Sequence, residues 1–338
     1  MNDPKLHVVL GAGQIGPLVA ERLLKAGQRV RLVRRGPSTA GPPGAELRSV
    51  DLADPEAASE VMAGAEVVYH CVTPAYERWG ELLLPVQRGI LEGARRTGAH
   101  LVVLDNLYGY GRAPRGLMQE GTPVAPCSKK GELRAQAAAE LLHARDRGEL
   151  SVTIGRASDF IGPGATMASV FGERFWQRVM TGKSGECFGD PDAPHSYSYV
   201  GDVAAGLVTL GTDPRARDQI WHLPVNPAEP TRRLIANVGQ VLGRELSTSR
   251  VPTWVLRMMG WFVPVVGELV EMVYQWEGPF VLDDAKFRGT FGYGATPWEQ
   301  ALPPTVAWAQ GRWGTKAAHR AVPAGTSTAE LRGRGTSP

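Results

Sequence analysis

Strand-like and helix-like segments alternate through the first half of the chain. Short segments rich in apolar residues lie at residues 6–10, 29–33, 47–50, 66–71, 101–104 and 150–154. Between them, apolar residues recur at helical spacing in residues 15–26, 54–62, 78–97 and 128–147. This alternation predicts an α/β fold with a doubly wound parallel sheet and right-handed crossovers.

Beyond residue 155 the alternation becomes irregular. We therefore divide the chain into a sheet domain at residues 1–155 and a smaller, mostly helical lobe at residues 156–314 that returns to the sheet in places. Asp202 is expected to cap one helix of this lobe. Residues 315–338 are rich in Ala, Gly, Ser, Thr, Pro and Arg without apolar periodicity, which predicts a disordered tail.

The segment from Trp254 to Trp276 is unusually apolar. Charged residues interrupt it and Pro264 divides it, so we do not expect a membrane span. Two short amphipathic helices over an apolar substrate pocket are expected instead, with ordinary lobe core as the alternative.

The strongest motif is the glycine turn Gly11-Ala12-Gly13-Gln14-Ile15-Gly16, which follows the first strand and opens the first helix. In such a turn Gly11 permits the tight bend, Gly13 lets a pyrophosphate approach the backbone, and Gly16 lets the helix pack closely on the strand. The helix N-terminus, with Gln14 and Ile15, would face the phosphates. With the second strand in place, the motif predicts a dinucleotide-binding domain.

The end of the second strand bears on which dinucleotide is bound. NAD sites usually place an acidic residue there to bind the ribose 2′-hydroxyl group, whereas this chain has Arg34 and Arg35. Because guanidinium groups suit a 2′-phosphate, we expect NADP(H), with NAD as the alternative cofactor. The other interpretation is two solvated arginines beside a loop.

Composition and charge exclude several classes of partner. Hydrophobic residues are 43% of the chain and charged residues 21%, as in an ordinary globular protein. A net charge of +3, concentrated after Arg312, leaves no basic face for nucleic acid. The 3 cysteines lie far apart without a CxxC motif, and no metal is expected. The cysteines favour a cytoplasmic location, and the early first strand leaves no room for a signal peptide.

Several features occur in a characteristic order: the glycine turn, Asp51-Leu52, Cys71-Val72-Thr73, DNLYGYG at residues 105–111, GRASDFIGPG at residues 155–164 and HSYSYVGDVAAGL at residues 195–207. Over about residues 6–312 this order resembles the extended short-chain dehydrogenase/reductases, the NAD-dependent epimerase/dehydratase family. The glycine turn is one residue shorter than that family's usual GxxGxxG.

The resemblance implies further cofactor contacts. Asp51 and Leu52 would contact the adenine, while Val72 and Thr73 would lie along the nicotinamide ribose. Ser158 would lie in the loop that closes on the nicotinamide.

The resemblance fails at the catalytic pair. The family uses a Tyr-x-x-x-Lys pair in which the lysine binds the ribose and lowers the pKa of the tyrosine. This chain has Pro126-Cys127-Ser128-Lys129-Lys130-Gly131 at that place. With Lys130 at the lysine position, Pro126 takes the tyrosine position; the alternative register puts Cys127 and Gly131 there. We prefer the first register because it keeps a cation for the ribose.

Another residue must then supply a proton. Tyr108, just past the fifth strand, is the candidate acid, and Asn106, at the family's Ser or Thr position, is the candidate polarising donor. A half-buried aromatic residue with no catalytic part is the equal alternative for Tyr108.

The lobe offers candidates for an apolar substrate pocket: Phe160, His195, Tyr197, Tyr274, Trp276 and Phe280. A core role is the alternative for the aromatic residues, and a surface or capping role is the alternative for His195.

Together these features predict an NADP(H)-dependent oxidoreductase that reduces a carbonyl group or conjugated double bond of a hydrophobic small molecule, with secondary metabolism as a setting. The absent tyrosine keeps a second hypothesis open, a sensor or partner-binding protein that binds NADP(H) without redox turnover. A third is an epimerase or dehydratase that uses bound NAD(P) transiently on a sugar nucleotide.

Overall fold

The computed structural model describes residues 3–36, 40–165, 169–262 and 264–314. In these ranges the strands are β1 Leu6–Leu10, β2 Arg29–Arg34, β3 Glu46–Ser49, β4 Val67–His70, β5 His100–Asp105, β6 Leu117–Met118, β7 Val152–Arg156, β8 Asp159–Ile161, β9 Gly185–Phe188, β10 Pro194–His195, β11 Tyr197–Tyr199, β12 Ile220–His222, β13 Glu229–Pro230, β14 Thr248–Val251 and β15 Val281–Leu282. The helices are α1 Gly16–Lys25, α2 Pro55–Met62, α3 Trp79–Thr97, α4 Lys129–Asp146, α5 Glu173–Met180, α6 Val200–Thr212, α7 Thr231–Val241, α8 Thr253–Gly260, α9 Pro264–Val270, α10 Ala285–Phe291 and α11 Trp298–Trp313. Short 3-10 helices span Tyr76–Arg78, Tyr108–Tyr110, Pro114–Gly116, Pro214–Ala216 and Val273–Trp276.

The main sheet has seven strands in the order β12-β7-β5-β4-β1-β2-β3, and every neighbouring pair is parallel. The chain builds outward from β1 through β2 and β3, then returns to β4 on the other side of β1. This order confirms the predicted doubly wound sheet. Because the strands are parallel, their carboxyl ends share one edge, and the reversal between β1 and β4 opens a crevice there.

The main sheet is covered on both faces because its central strands send alternate side chains into two cores. On β1, Val9 packs into a core shared with α1 and α6. Val8 and Leu10 point to the opposite face and pack into a core shared with α2, α3 and α4. All three side chains are fully buried, so the strand that leads into the glycine turn is held rigidly.

Most of the later residues form a lobe around a third core, which includes Phe171 and Trp176. The elements around this core are α5, α7, α11 and the parallel pair of β9 and β14. Strand β12 pairs with β7 in the main sheet. Strand β7 itself ends at Arg156, one residue beyond the expected domain boundary, and the expected disordered tail lies outside the described residues.

The prediction that Asp202 caps a helix was wrong. Helix α6 begins at Val200, which places Asp202 inside its first turn. The Asp202 carboxylate accepts hydrogen bonds from the Thr296 backbone nitrogen at 2.8 Å and from the Thr296 hydroxyl group at 2.6 Å. The carboxylate therefore bonds to a loop far along the chain rather than to the start of its own helix, and the local sequence gives no sign of that contact.

The apolar segment from Trp254 to Trp276 forms the two short helices that were predicted, α8 and α9, followed by the 3-10 helix Val273–Trp276. Pro264 begins α9. Among the described residues, no helix is both long enough and apolar enough to cross a membrane.

Buried histidines make the stability of the fold depend on pH. The Tyr110 hydroxyl group lies 2.8 Å from His222 Nε2, and His222 Nδ1 lies 2.9 Å from the carbonyl oxygen of Asp283. Because that carbonyl can only accept, Nδ1 carries the proton and Tyr110 donates to Nε2, which describes a neutral ring. Burial lowers the pKa of His222 to about 4 and that of His100 to about 4.

We expect the protein to lose stability as the pH falls from 6.5, the ordinary histidine pKa, toward 4. Between these pH values the histidines bind protons in the unfolded chain but not in the folded one. Each such histidine therefore contributes a slope of up to ~1.4 kcal/mol per pH unit to the free energy of unfolding. Urea unfolding at several pH values measures this slope, which His222→Gln should reduce. The exposed His143 provides the control, because His143→Gln should leave the slope unchanged. An undiminished slope in His222→Gln would contradict the prediction.

Candidate active site

A cavity of about 600 Å³ lies at the carboxyl edge of the main sheet, beyond the ends of β1, β2, β4, β5 and β7. Of the residues predicted to bind the cofactor, those that line it are Gly11, Gly13, Gln14, Ile15, Arg34, Arg35, Asp51, Leu52, Val72, Thr73 and Ser158. The opposite end, called here the aromatic end, is lined by Tyr76, Trp79, Asn106, Tyr108, Arg134, Asp159, Phe160, Gln275 and Phe280. A single cavity thus joins the glycine turn to the aromatic end.

The glycine turn has the geometry that a pyrophosphate needs. Gly11 has a φ of +102°, and a Cβ atom there would lie 2.9 Å from the carbonyl group of Cys71. A Cβ atom on Gly16 would lie 1.8 Å from the Gly11 oxygen, so only glycine lets α1 start this close to β1. At Gly13 nothing lies within 4 Å of a Cβ position, which leaves open space above the backbone. The first turn of α1 has no acidic residue and no side-chain cap, so it favours an anion.

Beyond the ends of β2 and β3, Arg34, Arg35, Asp51 and Leu52 line one wall of the cavity. The Arg34 Nε atom is buried and has no hydrogen-bond partner. Because a buried unpaired donor is unfavourable, this atom fits an anionic ligand group. The Oγ atom of Ser158 is likewise buried and unpaired in the cavity wall. These atoms and the glycine turn fit a bound dinucleotide.

Arg134 is a site residue that the sequence did not reveal. It lies on α4, is 8% exposed, and lines the cavity. Its Nη2 atom lies 3.3 Å from the Thr73 hydroxyl group, and its guanidinium group stacks over Trp79 at 4.4 Å. Its Nε atom is buried without a partner, so it can donate to a ligand in the cavity.

Buried charges hold Arg134 in place. Asp105, at the end of β5, accepts from Arg156 Nε at 3.1 Å and lies 3.8 Å from Arg134 Nη1. Two guanidinium groups therefore share one carboxylate, which leaves net positive charge beside the cavity. That charge suits an anionic ligand group or an oxygen that becomes negative during a reaction.

Lys130 does not line the cavity. Its ammonium group is bonded to the Tyr76 carbonyl oxygen at 3.0 Å and to Glu268 at 2.5 Å, and it lies over the Tyr76 ring. Glu268 belongs to α9, so Lys130 joins this helix of the lobe to the start of α4. This arrangement does not favour the predicted contact with the ribose. Arg134, one turn further along the same helix, does line the cavity.

Tyr108 and Asn106 both line the aromatic end. The side-chain oxygen of Asn106 accepts from the Tyr108 backbone nitrogen at 3.1 Å, which forms the turn and leaves the amide N–H groups to act as donors. Burial and the nearby Asp159 carboxylate raise the pKa of Tyr108 to about 12, although Arg134 opposes them. Tyr108 is therefore a neutral phenol near pH 7, which can donate a proton but is a poor base.

The predicted substrate residues divide into two groups. Phe160 and Phe280 line the cavity, as expected. His195, Tyr197, Tyr274 and Trp276 do not line it and are buried in the lobe. Their contacts lie within the lobe: the Tyr197 hydroxyl group pairs with Thr231 at 2.7 Å, and Trp276 stacks on His195 at 5.7 Å.

Sequence reasoning also missed Tyr76, Trp79 and Gln275, which line the aromatic end. One signal was available for Arg134, because it lies four residues after Lys130 and so on the same face of a predicted helix. Tyr76 and Trp79 follow β4 closely, at the edge where ligands of such sheets bind. No signal in the sequence distinguished Gln275 from its aromatic neighbours.

The fold and the glycine turn define a doubly wound α/β protein with a dinucleotide-type site. A sequence profile of the NAD dependent epimerase/dehydratase family matches residues 7–223. The chain belongs to this family.

Individual relatives agree with that assignment. The dTDP-6-deoxy-L-talose 4-dehydrogenase (NAD(P)(+)) of Kitasatospora kifunensis is 27% identical over 180 residues, which are 50% of this chain and 56% of the relative. The chain thus spans about half the length of this curated relative.

Solved structures share the fold. A dTDP-glucose 4,6-dehydratase from Bacillus anthracis, in complex with NAD, has a TM-score of 0.74 and 16% identity, with 92% of this chain and 98% of that chain covered. A UDP-glucose 4-epimerase from Thermotoga maritima, with UDP-glucose, has a TM-score of 0.71 and 19% identity, with 91% and 99% covered. At such low identity the likeness shows the fold alone.

We expect Arg134→Met to weaken dinucleotide binding about 10- to 100-fold, because a hydrogen bond from a charged group contributes roughly 1.5–3 kcal/mol. Asp105 keeps Arg156 as a partner in this variant, so the fold should persist. Lys130→Met is the matched comparison and should lower the melting temperature while leaving affinity nearly unchanged. Fluorescence titration with NADH and NADPH measures both. If Lys130→Met weakens binding and Arg134→Met does not, the ribose contact belongs to Lys130.

Proposed function

We propose that this protein is an NADP(H)-dependent oxidoreductase that reduces a carbonyl group or conjugated double bond of a hydrophobic small molecule. One observation carries the proposal: the cavity that begins at the glycine turn ends among aromatic side chains that include the neutral phenol of Tyr108. A dinucleotide and an apolar substrate could therefore meet beside a proton donor.

The side chains at the aromatic end suit this chemistry. When bound, the reduced dinucleotide supplies the hydride. Tyr108 would donate its proton to the substrate oxygen, while the Asn106 amide group and the Arg134 guanidinium group would stabilise the negative charge that develops there. Tyr76, Trp79 and Phe280 would bind the apolar body of the substrate and exclude water.

A second candidate, an epimerase, dehydratase or dehydrogenase of sugar nucleotides, is supported by what the names of the relatives say of those proteins. A sugar nucleotide brings hydroxyl groups and a diphosphate that require many polar partners. The aromatic end offers the rings of Tyr76, Trp79, Tyr108, Phe160 and Phe280, beside the polar side chains of Asn106, Arg134, Asp159 and Gln275. This composition favours the apolar substrate. A sensor that binds NADP(H) without turnover is the remaining hypothesis.

We expect the purified protein to oxidise NADPH, followed at 340 nm, with a member of a panel of aromatic ketones, diketones and enones such as 1-tetralone, benzil and chalcone. Tyr108→Phe should lower kcat about 10²- to 10⁴-fold without changing NADPH affinity, because one positioned acid contributes about that factor. Tyr293→Phe, which changes a tyrosine outside the cavity, is the control. Turnover of dTDP- or UDP-sugars with none of the panel would favour the second candidate. NADPH binding with no turnover at all would favour the sensor.

The preference for NADP(H) rests on Arg34 and Arg35 in the cavity wall and on the unpaired Nε atom of Arg34. We expect Arg34→Ser to weaken NADPH binding roughly 10- to 100-fold and NADH binding little, because only NADPH carries a 2′-phosphate. Arg29→Ser, at the exposed start of the same strand, is the control and should change neither affinity. Equal or tighter binding of NADH by the unaltered protein would overturn the preference.

A further inference from the structure

His195 and Asp159 form a buried pair behind the aromatic end. His195 Nε2 lies 2.8 Å from Asp159 Oδ2, and the two side chains are 2% and 6% exposed. The other ring nitrogen, Nδ1, lies 3.2 Å from the backbone carbonyl oxygen of Gln275. Because this carbonyl can only accept, Nδ1 must donate to it. A second proton must then lie between Nε2 and Oδ2, so the pair holds one proton that can leave without breaking the contact with Gln275.

The pair connects the lobe to the cavity. Asp159 lines the cavity wall, whereas His195 lies behind it between the rings of Trp276 and Phe280, with centroid distances of 5.7 Å and 5.2 Å. These stacked rings favour a positively charged imidazole through cation–π attraction. His195 can therefore hold the proton behind the cavity wall, while the Asp159 carboxylate lines the wall itself.

We propose that Asp159 and His195 form the proton store of this active site, with Asp159 as a further catalytic residue and His195 as the positioning residue that holds the proton behind it. This inference rests on the proposed reductase function and extends it to a residue pair that replaces the absent Tyr-x-x-x-Lys arrangement.

The proton balance shows why a store is needed. In the reduction the hydride forms a C–H bond at the carbonyl carbon, and the O–H bond of Tyr108 breaks as the substrate oxygen takes its proton. The resulting phenolate lies in the same cavity as the Asp159 carboxylate, whose negative charge disfavours it. Transfer of the stored proton to Tyr108 restores the phenol and leaves Asp159 ionised with a neutral His195, and solvent then returns one proton to the pair.

Other groups near Asp159 and Tyr108 cannot supply the proton that restores the Tyr108 phenol. Tyr76 and Tyr108 line the same cavity as Asp159, and the ring of Tyr197 lies 4.6 Å from that of His195, so these tyrosines are the titratable neighbours of the pair. Burial places the pKa values of Tyr76 and Tyr197 well above the ordinary value, and both hydroxyl groups keep their protons. Gln275 does not titrate, and an arginine such as Arg134 remains charged at neutral pH. Among these groups the pair alone holds a proton between two side-chain atoms, His195 Nε2 and Asp159 Oδ2.

The kinetic test uses the full-length protein, NADPH and the member of the carbonyl panel that gives the highest rate. Asp159→Asn and His195→Gln preserve shape and hydrogen bonding but cannot exchange the proton. We expect kcat to fall about 100-fold or more in Asp159→Asn, and the pH profile of kcat to change in both variants, while NADPH affinity stays within about twofold. Unchanged pH profiles in both variants would overturn the proposal while the reductase function stands.

The second test needs no turnover, so it separates this proposal from the proposed function. Long-range ¹H–¹⁵N NMR spectra of histidine-labelled protein without cofactor report the protonation of each ring nitrogen, and His195→Gln identifies the signals. We expect protons on both nitrogens of His195 at pH 7 and on one nitrogen only in Asp159→Asn. A single ring proton in the unaltered protein, or an identical state in Asp159→Asn, would overturn the pair even if no carbonyl compound were reduced.

Thr231→Val is the control for simple destabilisation of this region. It removes the hydroxyl group that pairs with Tyr197, two residues from His195, without touching the proton store. It should lower the melting temperature but leave both the pH profile and the His195 signals unchanged. The same change of the pH profile in Thr231→Val would show that general loosening of the lobe explains the other variants, against the proposal.

Discussion

The arrangement of this site depends on the burial of Asp105, Arg134 and Arg156 at the carboxyl edge of the main sheet. Asp105 and Arg156 are partners in the register of β5 and β7, and Arg134 reaches them from α4. Removing an isolated charge from water costs several kcal/mol, so none of the three can be buried alone. Their association holds α4 against the sheet edge and presents a guanidinium group to the cavity.

A second set of charges joins the lobe to the same helix. Glu271 accepts hydrogen bonds from the backbone nitrogens of Lys129 and Lys130, where α4 begins and its N–H groups lack helical partners. Glu268 takes the ammonium group of Lys130. The following segment carries Gln275 and Phe280 to the aromatic end. Lobe and sheet therefore build one cavity, and the lysine expected beside the cofactor serves instead as a tie between them.

The related proteins share the fold of this chain, whereas the chemistry of the cavity depends on its own side chains. A dehydratase and an epimerase share the fold at 16% and 19% identity, and this likeness concerns the scaffold alone. Chemistry, in contrast, depends on side chains at strand ends and loops, which vary while the scaffold persists. Here those side chains include Asn106, Tyr108, Arg134 and Asp159. These side chains are the basis of the proposed reduction and of its proposed proton source.

The sequence by itself determined the doubly wound sheet, the glycine turn and most of the cavity wall beside that turn. These features follow from local periodicity, from the conformational freedom of Gly11, and from the rule that parallel strand ends meet at one edge. Helix starts were also predictable where the cap is local: the Ser128 hydroxyl group accepts from the Gly131 backbone nitrogen at 3.0 Å. Asp202 shows the limit, because its carboxylate pairs with Thr296 in a distant loop.

Only the tertiary structure decided the aromatic end. Whether Lys130 or Arg134 faces the cavity depends on Glu268, a residue far along the chain whose position no local pattern encodes. All four of Tyr197, Trp276, Gln275 and Phe280 are buried, but lobe packing places only Gln275 and Phe280 in the cavity lining. The physical reason is that the partner of a buried charge or ring comes from another segment of the chain. The local sequence around the residue therefore does not specify that partner.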